Sequence, residues 1–292
     1  MVAPNAFGAN SKSRTVTRLP LQPSVTFRLD TTERVPPLFD ILPMPATQQI
    51  LGLRFFDGNI DEAIEFIFRH GGFLVAPSGT CFARLRRDPA YREAMTHADL
   101  AIPDSGAMVL LWRILRGRKI RRISGLKYFQ HLSARLFADK TRSVLWVLPN
   151  ETAREKTARW LSANHFQFAD VDLYVAPRYD ATVEDRELLA KIDTRRPWHI
   201  VIGIGSGPQE KLGHFFRDHL SYRPAIHCIG AALGFLTGDQ IAIPDWADRF
   251  YLGWLLRLFA QPRVFAPRLL RALELPWLII KYGEKLPSLK RE

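Results

Sequence analysis

Cysteine is nearly absent from this chain of 292 residues, which holds only Cys81 and Cys228. They lie far apart and outside any metal-type spacing, so the sequence implies neither a zinc site nor a disulfide framework. Both fall in apolar surroundings and read as buried thiols of a reducing compartment. Long apolar runs are lacking as well. The run at 275–280 is too short to span a membrane and is flanked by charge. No signal-peptide core stands at the N-terminus. The expectation is a cytoplasmic protein that touches a membrane, if at all, from its inner face.

Other absences exclude reaction classes. The histidines are scattered, with no H-E-x-x-H, which argues against a metalloenzyme. No G-x-S-x-G nucleophile elbow occurs, and no Gly-Lys-Ser/Thr of a Walker loop. Acidic residues are in deficit: 29 Asp and Glu face 41 Lys and Arg, for a formal net charge of +12. An excess of that size calls for anionic partners, either nucleic acid, an anionic membrane surface or phosphorylated substrates. No nucleic-acid-binding module is recognisable, so nucleic acid is not the expected partner. The sequence leaves both a monomer and a homo-oligomer open.

With 47% hydrophobic residues, the chain can bury a sizeable core. Residues 1–47 are rich in Pro, Ser, Thr and Asn and read as a poorly ordered extension, with one candidate edge strand at 25–29. From there to residue 245 strand and helix patterns alternate. Strands are expected at 50–56, 73–76, 100–102, 143–148, 170–175, 199–204 and 225–229. Helices are expected at 61–68, 80–95, 107–116, 126–138, 152–164, 183–193 and 209–220. This alternation argues for an α/β fold, a Rossmann-like, mostly parallel sheet flanked by helices. Residues 246–292 change texture and read as a basic amphipathic helical appendage, cut into short helices by Pro262, Pro267 and Pro276. Arg249, Arg257, Arg263, Arg268 and Arg271 can share a basic face there.

Asp104 ends the short apolar run Leu100-Ala101-Ile102-Pro103. In open α/β sheets ligands sit beyond the carboxyl ends of strands, so Asp104 stands where a catalytic base or binding carboxylate belongs. It can equally be the N-cap of the helix that follows. A second candidate is HIVIGIGSGPQE at 199–210, a strand, a glycine-rich turn and a helix start. Such a turn lets backbone N–H groups approach phosphate oxygens. Gln209 and Glu210 can bind a ligand there, or can cap the helix. The basic run RILRGRKIRR at 113–122 is either a solvated face or a grip for a diphosphate. The small-residue segment 230–245 suits close backbone approach to a ligand, or tight packing. Asp170-Val171-Asp172 has the form of a metal-binding D-x-D, but a solvated pair is the favoured reading.

Taken in order, several of these stretches resemble the WecG/TagA/CpsF family of bacterial glycosyltransferases. The matching residues are Asp88-Pro89, Ala98-Asp99-x-x-x-Pro103-Asp104-x-Gly106 and Arg122-x-x-Gly125. Further along come Gly203-x-Gly205-x-x-Pro208-Gln209-Glu210, Gly230-Ala231-Ala232 and Trp254-x-x-Arg257-Leu258. The resemblance implies an inverting, metal-independent transfer from a UDP-sugar to a polyprenyl-diphosphate-linked sugar, in surface or exported polysaccharide synthesis. It implies no cofactor. Asp104 would be the general base. Gln209 and Glu210 would help hold the donor, with the turn at Gly205 near its nucleotide. Arg122 would contact phosphate or acceptor. Arg257, Arg263 and Arg268 would meet leaving-group charge, and the appendage would approach an anionic membrane surface at the inner face of the cell membrane. Ser78 stands where the family usually has an Asn, which points to a hexose such as glucose rather than N-acetylmannosamine. The rival expectation is a catalytically silent relative acting as a membrane-associated binding or assembly component.

Overall fold

The computed structural model describes residues 46–79, 81–139, 141–180, 182–238 and 272–290. The expected extension and its strand at 25–29 lie outside them. So do most of the expected appendage and Arg257, Arg263 and Arg268.

Among the described residues, eight strands form one sheet. They are β1 (Thr47–Ile50), β2 (Leu53–Phe56), β3 (Gly72–Val75), β4 (Leu100–Ala101), β5 (Val144–Leu148), β6 (Leu173–Val175), β7 (His199–Ile202) and β8 (Ala225–Cys228). Their spatial order is β1-β2-β4-β3-β8-β7-β5-β6. Only β1 and β2 pair antiparallel; the remaining pairs are parallel. The central strands are buried on both faces, which is why they read as continuous apolar runs rather than alternating ones. Within the central strands, successive residues go to opposite cores. Leu145 and Val147 join one cluster; Val144, Trp146 and Leu148 join the other.

Helices cover both faces. On one lie α2 (Cys81–Arg84), α3 (Pro89–Thr96), α4 (Gly106–Arg116), α7 (Arg186–Arg195), α8 (Pro208–His219) and α10 (Glu274–Tyr282). On the other lie α1 (Ile60–His70), α5 (Gly125–Ala138), α6 (Glu151–Ala163) and α9 (Ala232–Leu236). Local signals set their ends. Asn59 and Glu62 close a capping box on α1. Asn150 caps α6 and Asp185 caps α7.

Four expectations are corrected. The strand expected at 50–56 is a hairpin, because Leu51 (φ 51°) and Gly52 (φ 80°) make the left-handed pair that a tight turn requires. The helix expected at 80–95 is two, because Asp88 caps α3 and Pro89 takes its first position. The strand expected from 170 begins at Leu173, behind a 3₁₀ turn, Asp170–Asp172. Pro276 lies inside α10 rather than ending a helix, since the N–H it lacks would be unpaired in a first turn anyway.

The described part of the C-terminal segment packs on the core. Leu275, Leu278 and Ile279 are buried in the first cluster. The N–H groups of Leu51 and Gly52 donate to Gly283 and Glu284 carbonyls, both at 2.8 Å. A Cβ on Gly52 would lie 2.5 Å from Leu286 Cβ. Gly52→Ala should therefore cost about 2 kcal/mol or more, from the positive φ and the clash together. Urea unfolding midpoints check the loss, and limited proteolysis should report earlier release of residues 284–290.

A buried polar chain crosses the second core. Tyr128 Oη lies 3.0 Å from His227 Nδ1, and His227 Nε2 lies 3.2 Å from His199 Nδ1. Burial lowers both imidazoles, His199 to about 3 and His227 well below its ordinary value. Both are thus neutral in the folded protein, while the unfolded chain binds their protons below about 6.5. Stability should fall as pH drops through that value towards 3. The substitution His199→Phe should flatten that acid limb in thermal melts recorded across the range.

Candidate active site

Strands β4, β3, β8 and β7 lie side by side, so their carboxyl ends and following loops share one edge. After β3 the chain enters the layer of α3 and α8; after β8 it enters the layer of α9 and α5. Neighbouring strands whose helices part to opposite faces leave a crevice at that edge, the usual ligand position in such sheets.

Asp104 is half-buried at this edge. Its carboxylate accepts the N–H of Gly125, the first residue of α5, at 2.7 Å. Arg122 Nε donates to the Asp104 carbonyl oxygen at 3.1 Å, and Ile123 N–H donates to the Pro103 carbonyl at 3.2 Å. The pattern Arg122-x-x-Gly125 is thus a clip whose two ends close on Asp104. Asp104 does not cap the helix that follows it. Ser105 does, accepting the Met108 N–H at 3.2 Å. Asp104 serves α5 instead, from outside that helix, and a carboxylate is favoured at a helix N-terminus.

The other loops join this one in a continuous rim. A Cβ on Gly79 would meet Ser105 Oγ at 3.2 Å, so the β3 loop lies against the β4 loop. Ser78 Oγ is 3.2 Å from Cys81 Sγ, which is 3.1 Å from Ser206 Oγ in the β7 loop. Gly230 N–H, in the β8 loop, donates to Gln209 Oε1 at 3.0 Å. Ser78, Asp104, Arg122, Gly205, Gln209 and Glu210 are therefore brought to one edge.

Their roles differ by depth. Gln209 and Glu210 are buried and sit inside the wall. Glu210 Oε2 accepts the Gly207 N–H at 2.5 Å and its Oε1 accepts from Gln209 Nε2 at 2.9 Å, fixing the turn on the end of α8. Burial pushes the Glu210 carboxyl up from its ordinary value, against the pull of those bonds and of Arg84. Arg84 Nη1 donates to the Ser206 carbonyl at 2.9 Å. Its guanidinium occupies the space a side chain at Gly207 (φ 106°) would need. By contrast, a Cβ on Gly205 would meet nothing within 4 Å, so the top of the turn faces open space. The crest of a glycine turn at a helix N-terminus suits an anionic ligand.

Other candidate residues are placed away from the crevice. The basic run 113–122 does not gather at the crevice. Of its cations Arg122 reaches Asp104, Arg116 donates to the Ile279 carbonyl at 2.7 Å, and Arg118 pairs with Glu284. Asp170 and Asp172 precede β6 and so lie at the edge opposite the crevice. They pair with Arg154 and Arg195. Asp99, at the other end of β4 from Asp104, accepts the Phe73 N–H at 2.8 Å and faces Arg223 at 3.3 Å. Arg84, Cys81 and Ser206 were missed in the sequence. Arg84 sat inside a charged helical pattern, and the Cys81–Ser206 contact spans 125 residues.

A family model described as "Glycosyl transferase WecG/TagA/CpsF family" matches residues 48–289. A curated relative from Bacillus spizizenii (strain ATCC 23059 / NRRL B-14472 / W23) is 24% identical over 223 residues, covering 74% of this chain and 84% of its own. Its name is N-acetylglucosaminyldiphosphoundecaprenol N-acetyl-beta-D-mannosaminyltransferase.

The raised Glu210 carboxyl carries a pH signature. Its folded form favours the proton, so its contribution to stability is full below about pH 4.5 and declines as pH rises through the folded value. Glu210→Gln should remove that decline, leaving a flatter stability curve on the alkaline side when melting is followed against pH.

Proposed function

The chain belongs to the WecG/TagA/CpsF glycosyltransferase family, and from that premise we propose an inverting, metal-independent transfer from a UDP-sugar to a polyprenyl-diphosphate-linked sugar. The product would extend a lipid-linked oligosaccharide for a surface or exported polysaccharide. The curated relative's name also describes a sugar placed on a lipid-linked diphosphate sugar.

The observation that carries the reading is Asp104, pinned by Arg122 and Gly125 at the edge where the β3, β7 and β8 loops converge. In the proposed step the acceptor hydroxyl oxygen attacks the anomeric carbon of the donor. The bond to UDP breaks and Asp104 takes the hydroxyl proton. UDP departs with the bonding pair, and the glycine turn receives its charge. Gln209 and Glu210 hold that turn from behind. Arg122 stands beside the base, where it can meet an acceptor phosphate. Arg257, Arg263 and Arg268 are assigned to leaving-group charge on the family resemblance alone. Ser78, with its hydroxyl against Cys81, replaces the usual Asn and supports a hexose such as glucose as the donor sugar. The relative's name specifies N-acetylmannosamine, so the two donors are the pair to compare.

The test is UDP release with a lipid-linked acceptor and a panel of UDP-sugars in the presence of EDTA. UDP-glucose should turn over faster than UDP-N-acetylmannosamine. Asp104→Asn should fold normally and lose about 10²–10⁴-fold in kcat. Full turnover by that variant would sink the base assignment, and binding of UDP-sugar without turnover by wild type would favour a silent relative.

A further inference from the structure

Helix α4 begins at the crevice, directly after the Ser105 cap. Its inner side buries Met108 and Trp112. Its outer side should be polar in an ordinary surface helix. Instead it shows Leu110 (49% exposed), Ile114 (66%) and Leu115. Leu110 and Ile114 are one turn apart and share a face. Arg113, Arg116, Arg118, Lys119 and Arg121 surround them, all exposed.

Exposed apolar residues also stand on α10, which packs beside α4. Arg116 joins the two, donating to the carbonyls of Ile279 and Ile280. Ile280 is 60% exposed and Trp277 is 43% exposed. Arg86 and Lys281 each lie 4.9 Å from the centre of the Trp277 ring.

We propose that this face, centred on α4, docks on an anionic lipid bilayer. The proposal rests on the reading that the acceptor is lipid-borne, and it assigns membrane contact to the folded core in addition to the C-terminal appendage. Charge selects the occupant. A second copy using the same face would set one basic rim against another. The chain segment 239–271 carries five arginines against three aspartates, so it too is positive. A bilayer with anionic headgroups matches both parts of the face. Leu and Ile enter the interface, Trp277 sits at its level, and Arg and Lys meet phosphates. Docked this way, α4 holds the Asp104 crevice next to the headgroup layer from which a lipid-linked diphosphate emerges.

The experiment uses the full chain and vesicles of phosphatidylcholine with or without phosphatidylglycerol. Wild type should sediment with the anionic vesicles and not with the neutral ones. The double variant Leu110→Glu/Ile114→Glu should bind them about tenfold more weakly or worse. Its melting temperature should be unchanged, as should its turnover of a short-chain acceptor in detergent. Arg113→Glu/Lys119→Glu gives a second route, weakening vesicle binding without touching the apolar stripe. Wild-type binding by both variants would overturn the proposal. So would indifference of wild type to anionic lipid, or a wild-type dimer that the first variant converts to monomer. Loss of vesicle binding by the variants, with no turnover of any lipid-linked acceptor by wild type, would remove the acceptor reading and leave the docking face standing.

Discussion

The bond from Gly125 N–H to the Asp104 carboxylate ties together parts of the fold that would otherwise be independent. Asp104 follows β4, an inner strand of the sheet. Gly125 begins α5, in the layer on one face, while α4 between them belongs to the layer on the other. The chain must therefore cross the sheet edge between 117 and 124, and Arg122 and Ile123 pin that crossing to Asp104 and Pro103. A helix start carries unpaired N–H groups and partial positive charge. The carboxylate answers both, and in doing so it is fixed in orientation at the mouth of the crevice. Preorganisation of this kind is what a base needs if the protein is not to reorganise during reaction.

The residues of the family pattern divide between architecture and chemistry by position along their strands. Asp88 caps α3 and pairs with Lys211 of α8 at 2.8 Å, knitting two helices of one layer. Asp99 gathers Phe73, Arg217 and Arg223 at the amino end of β4. Glu210 and Gln209 hold the turn and the β8 loop from inside. Asp104, Arg122 and the crest at Gly205 are left on the rim. A carboxylate in a motif is thus no guide to its work until its end of the strand is known. Asp99 and Asp104 stand at opposite ends of the same short strand.

Much of the fold was legible because parallel strands buried on both faces have no polar alternation to hide them, and short charged helices separate them. Asp104 was legible for the same reason, since the end of such a strand is a predictable place. The β1–β2 hairpin was not, because Leu51 is apolar and fully buried despite its turn conformation. Its burial depends on the C-terminal segment that receives its N–H, a contact no local window contains. The break between α2 and α3 was written in Asp88-Pro89 but masked by apolar residues in phase on both sides. In the site, the glycine turn could be read, but its foundation could not. Arg84 and Cys81 come from a helix more than a hundred residues upstream, and only the sheet order brings them under Ser206. The basic run left two readings open because adjacency in sequence says nothing about which helix a side chain will meet.

The same run explains how one stretch of chain can serve the crevice and the surface at once. From Ser105 to Arg116 the helix rises about 1.5 Å per residue, so its exposed stripe lies within roughly 15 Å of its start beside Asp104. Arg122, returning after the crossing, comes back to the same residue. A rigid helix thus sets a short, constant distance between the carboxylate and the apolar, basic face. In the proposed transfer from a nucleotide sugar to a lipid-borne acceptor, that distance would constrain which hydroxyl can reach Asp104. It is held by the core packing of Met108 and Trp112, and by the bonds of Arg116 to α10, rather than by a flexible linker.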